Sequence, residues 1–158
     1  MDQTRDLLRH TVATVAYRAS KALRGSPPEF AEYRTDAASR TPAEILAHMG
    51  DLFDWALSIA KGKQAWHDST PLPWHQEVNR FFGSLSAFDD YLASEPSLAV
   101  TPGKLFQGPI ADALTHVGQL SMLRRLSGAK VRGENFFIAE VAPGRTGLDQ
   151  AEPRKEFD

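Results

Sequence analysis

The chain has 158 residues, 42% of them apolar and 24% charged, with a formal net charge of −2. That length fits one domain spanning 1–158 with a real core, and the composition excludes wholesale disorder. The absence of cysteine excludes a disulfide scaffold, thiolate metal ligands and a cysteine nucleophile. The charge balance lacks the basic excess that phosphate-backbone binding requires, so no nucleic-acid partner is expected. No apolar run reaches membrane-spanning length, and Met1 to Arg9 alternates charge rather than forming a signal peptide. A cytoplasmic protein without a membrane partner is the expectation.

Helical periodicity dominates. Leu8, Val12, Val15, Ala16, Ala19 and Leu23 make one apolar stripe, predicting a first helix over about 2–24. Gly25 can end it, and Pro27–Pro28 prevent continuation. Ser26 to Arg40 is polar and aperiodic and reads as a long surface connection. Thr41-Pro42-Ala43-Glu44 is a capping box with proline at the first helical position, opening a second helix over about 42–62. Its inner stripe is Ile45, His48, Leu52, Trp55 and Ile59. Lys63 to Pro73 reads as a loop.

A third helix is predicted over about 74–94, facing inward through Val78, Phe81, Phe82, Leu85, Phe88 and Leu92. Asp89 and Asp90 are expected outside, and Pro96 is expected to stop the segment. The fourth helix, about 109–127, is expected to start at Gly108–Pro109 and to turn Ile110, Ala113, Leu114, Val117, Leu120 and Leu123 inward. Arg124 and Arg125 complement its C-terminal dipole, and Gly128 ends it. A glycine-punctuated tail fills 129–158. Its apolar run Phe136–Ala139 is expected to dock on the helices, and residues beyond about Gln150 to be mobile. Four helices of this length in one domain imply an all-α four-helix bundle with long connections.

Among five histidines, His48 falls in the apolar stripe of the second helix and His116 beside the inner face of the fourth. Bundle interiors build metal sites from facing helices, and neutral imidazole is the commonest metal ligand. A lone inward histidine is, equally, often a hydrogen-bonded core residue. Asp112 precedes His116 by four residues, so both share one helix face. His48, Asp112 and His116 would make a triad open to zinc, nickel or iron, with positions left for water. Asp112 also suits the first turn of a helix on dipole grounds alone. Asp6 before His10 and Glu44 before His48 repeat the spacing, so spacing by itself does not choose. There is no H-E-x-x-H, G-x-S-x-G, Walker A or G-x-G-x-x-G motif. Trp55, Trp66 and Trp74 read as core or loop-anchoring residues, with Trp66 and Trp74 placed to line a pocket mouth. Gln119 reads as a hydrogen-bonding residue one turn on, able to orient a ligand.

Two stretches carry a resemblance. They are Thr41-Pro42-Ala43-Glu44-Ile45-Leu46-Ala47-His48-Met49 and the run from Gly108 to Leu120, continuing into Arg124-Arg125-Leu126-Ser127-Gly128. With Val131 to Phe137, they resemble the DinB-like superfamily of metal-binding four-helix bundles over nearly the whole chain. The resemblance implies a divalent metal held by one histidine of the second helix and two of the last. His48 and His116 match two of these positions, and Asp112 stands where the family has its other histidine. It also implies a homodimer and, in some members, metal-dependent transfer using a low-molecular-weight thiol. Two functions therefore stand side by side. One is a metal-dependent transferase or hydrolase of unknown substrate. The other is a non-catalytic helical dimerisation or interaction module with a degenerate metal site.

Overall fold

The structure, a computed structural model, describes residues 2–94 and 97–158. It is mostly helical, with one two-stranded sheet among the described residues. The long helices are α1 (Gln3–Leu23), α2 (Pro42–Ala60), α3 (Trp74–Ala93) and α5 (Ala111–Leu126), with a short α4 (Pro102–Leu105) before the last. α2 packs on α3 and α5, and α1 packs on the same two helices. The core between them is built from Val12, Met49, Phe53, Phe81, Leu85, Phe88, Ile110 and Leu120, all fully buried. No helix among the described residues is long and apolar enough to cross a membrane.

Local chemistry sets the helix ends. Asp2 caps α1, and Gly25 follows it in the left-handed conformation that favours glycine. The capping box at α2 forms in both directions, with Glu44 N–H donating to Thr41 Oγ1 and Thr41 N–H to Glu44 Oε2. That backbone donor, with Arg34, holds the Glu44 carboxyl below its ordinary range. α3 spans the predicted segment, while Pro96, expected to stop it, lies outside the described residues.

The structure corrects the sequence expectations at five places. The connection 26–40 is not purely a surface strand of chain: Pro28–Glu32 forms a 3-10 turn that buries Phe30 against Trp74, and Trp74 Nε1 donates to Ser26 Oγ. Asp89 is buried rather than outside, because Arg9 forms a two-pronged ion pair with it at 2.9 and 3.0 Å. The last helical segment begins at Pro102, not at Gly108–Pro109; the chain passes through a π-helical turn, Phe106–Ile110, and continues as α5. A proline lacks the N–H for a regular helical bond, and a π-turn accommodates that loss within a continuous helix.

Arg124 does more than complement a dipole. It is buried and donates to the carbonyls of Ala22 and Arg24, at the end of α1, and of Ala129. The tail is the fifth difference. Its end is not loose: β2 (Glu156–Phe157) pairs antiparallel with β1 (Gly133–Glu134), Gly133 facing Phe157. A Cβ at Gly133 would collide with the Phe157 ring. Buried Glu134 accepts from Tyr17 Oη, and Lys21 Nζ reaches both Glu134 (2.9 Å) and Glu156 (2.7 Å), strapping the tail to α1. The expected docking of the apolar run comes down to Phe136, edge-on to Tyr17 and under Arg18. Phe137 is 95% exposed.

Candidate metal centre

Facing turns of α2 and α5 bring His48, Asp112 and His116 together. Each offers a ligand atom, and the three atoms lie within 4.8 Å of one another. His48 Nε2 is 3.4 Å from Asp112 Oδ2, and His116 Nε2 is 3.3 Å from Asp112 Oδ1. The two imidazoles meet edge to face, with centroids 4.8 Å apart. The carboxylate thus sits between two ring nitrogens, one oxygen toward each. The two histidine side chains are 23% and 12% exposed, and Asp112 is 46% exposed, so the group is open on one side.

Placement follows from the local sequence. The capping box fixes where α2 starts, and His48 lies on its α5-facing edge, half-buried beside the fully covered Ala47 and Met49. The π-turn delivers the chain into α5 with Asp112 in its first turn, where the helix dipole favours an acid. A Cβ at Gly108 in that turn would lie 3.8 Å from the Trp55 ring, an ordinary contact distance. His116 follows Asp112 by one turn on the same face.

The surroundings orient the donors. His116 Nδ1 lies 2.8 Å from Gln119 Oε1. With Nδ1–H donating to that amide oxygen, Nε2 keeps its lone pair toward Asp112. Thr115 Oγ1 donates to the Asp112 backbone carbonyl. Trp66, from the loop after α2, packs edge-to-face on His48 at 5.6 Å and on Trp55 at 5.8 Å. Trp66 is therefore at the site, whereas Trp74 anchors the distant 26–40 connection.

Two imidazoles and a carboxylate, with no lysine or arginine paired to any of them among the described residues, are a donor set that fits a divalent cation. The same test separates a second group of similar composition. Asp51, Asp54 and His67 also place ligand atoms within 4.8 Å. There Arg80 already supplies the cation, with Nη1 3.1 Å from Asp51 and 3.7 Å from Asp54. Its Nε bonds buried Glu77 at 2.7 Å, and its Nη2 donates to Ala47 O at 2.6 Å. Gly50 makes this possible: a Cβ there would lie 2.9 Å from Nη2. Ser69 N–H and Oγ donate to Asp51, and Leu72 N–H donates to Glu77, so the network pins the loop 63–73 to α2 and α3. Arg80 and this loop clamp escaped the sequence reading, because neither shows a motif. The remaining histidines, His10 and His75, belong to neither group. Compared with known protein families, curated proteins and solved structures, the chain matches none.

Proposed function

We propose that this chain is a DinB-like four-helix bundle that binds one divalent ion (zinc, nickel or iron) through His48, Asp112 and His116. We further infer that it carries out metal-dependent transfer or hydrolysis on a small molecule. The observation that carries this reading is the convergence of three ligand atoms from two helices, 64 residues apart between His48 and Asp112, with no internal cation among the described residues. A bound ion would supply a Lewis acid with open positions, at which water or a small thiol gives up its proton more readily. The chain's own residues prepare the place. Asp112 contributes the negative charge and holds both imidazoles. Gln119 keeps His116 in the ligating tautomer. Trp66 covers an edge of His48 and limits solvent on that side. A low-molecular-weight thiol as the nucleophile agrees with the absence of cysteine in the chain.

The test is elemental analysis of untagged protein beside His48→Ala, Asp112→Ala and His116→Ala. We expect close to one metal per chain in the wild type and less than about a tenth of that in both histidine variants. A wild type that stays metal-free after reloading contradicts the reading. The non-catalytic homodimer module has its own supporting observation: Leu7, Phe106, Met122 and Leu126 leave large apolar side chains exposed. Concentration-dependent sedimentation with no metal uptake would favour it.

A further inference from the structure

A pocket of about 290 Å³ lies along α2, with His48 in its wall beside Arg40, Glu44, Asp68 and Ser69; of the three candidate metal ligands only His48 lines it. This is the small end of ligand-pocket size, about 300 Å³ and upward. Glu44, His48 and Asp51 lie on one face of α2, while Asp68 and Ser69 come from the clamped loop opposite.

The polar groups of this wall are unequally satisfied. Glu44 is taken by the Thr41 N–H and by Arg34. Asp51 is taken by Ser69 and Arg80. Asp68 Oδ1 accepts from Trp66 Nε1. Arg40 is the cation of the pocket wall, and it makes no hydrogen bond or ion pair with the described residues. A guanidinium with no partner among the described residues, in the wall of a pocket whose carboxylates already have donors, suits an anionic oxygen group, preferably a planar carboxylate that it can hold with two parallel bonds.

We propose that this pocket is the substrate pocket of the metal centre and that its ligand carries a carboxylate, bound by Arg40, at the end away from His48. The proposal rests on the metal reading above for the ligand's other end. The carboxylate end rests on Arg40 and the pocket alone, so the two can be separated by experiment.

The probes are acetohydroxamate, a metal-chelating group without a carboxylate, and succinate monohydroxamate, which adds one. Cobalt-loaded protein is titrated with each and followed by the visible cobalt bands. Metal-free protein is titrated with succinate monohydroxamate and followed by the Arg40 Nε–Hε resonance. We expect the carboxylate-bearing probe to bind cobalt-loaded protein about tenfold more tightly, an advantage lost in Arg40→Gln. We also expect the Arg40 resonance to shift saturably without metal. Equal affinities for the two probes, or an advantage that survives Arg40→Gln, overturn the pocket assignment and leave the metal centre standing. Protein that takes up no cobalt while its Arg40 resonance still shifts supports the carboxylate pocket and removes the metal reading. An unmoved resonance in protein that takes up no cobalt overturns the pocket assignment as well. Arg40 is exposed and precedes the cap of α2, so its replacement leaves the core untouched.

Discussion

Two clusters of nearly the same composition sit on α2, one turn apart, and they have opposite characters. His48 with Asp112 and His116 joins two helices and has no lysine or arginine of its own among the described residues. Asp51 with Asp54 and His67 joins a helix to a loop and is filled by Arg80. Residue type and mutual distance do not distinguish them. What does is whether the protein has already neutralised the carboxylates. A filled cluster is a structural clamp, because removing its internal cation strands buried charge. The open cluster keeps its half-exposed carboxylate in solvent, where a cation from outside can reach it.

The largest expected effect therefore belongs to the filled cluster. Arg80→Met leaves Asp51 and Glu77 buried without their cation and should destabilise the fold by about 2–4 kcal/mol, read by urea denaturation. Metal content per folded chain should be unchanged. A loss below about 1 kcal/mol would mean that Arg80 is no clamp. Next comes the open cluster. Gln119→Leu removes the acceptor at His116 Nδ1 and should weaken metal binding about tenfold, measured by competition with a chromophoric chelator. Stability of the metal-free protein should barely move, since Gln119 is exposed. Unchanged affinity would show that His116 needs no orienting partner. The smallest effect is expected at His67, which is 52% exposed although it touches both Asp51 and Asp54. His67→Ala should cost less than about 1 kcal/mol and should leave metal content as it was. If it abolished metal uptake, the assignment of the two clusters would be reversed.

Much of this was legible in the sequence, and the parts that were not have physical causes. The capping box at Thr41 and the apolar stripes of α1 and α3 located those helices, because helix starts and periodicity are local properties. Gly108–Pro109 read as a start because proline favours the first turn; in the fold a turn of α4 precedes it, and the pair lies in a π-turn inside a longer helical segment. The pairing of Asp112 with His116 is readable from their spacing. Their meeting with His48 depends on how α2 and α5 pack, which no local pattern encodes. Asp89 and Arg124 show the same limit. Asp89 read as a surface charge and Arg124 as a complement to the helix dipole, and each is buried because a partner far along the chain, Arg9 or the α1 carbonyls, meets it there. The tail beyond Gln150 lacked a periodic signal because two paired residues and a few ion pairs carry its order.

On the proposed reading the metal sits in the open cluster and not in the filled one. The most direct measurement is anomalous X-ray diffraction from crystals of the zinc-loaded protein, recorded above and below the metal edge. One strong peak is expected within bonding distance of His48 Nε2, His116 Nε2 and an Asp112 oxygen, about 2.0–2.2 Å from each. A peak between Asp51, Asp54 and His67 with Arg80 displaced, or no peak in zinc-soaked crystals, would contradict it.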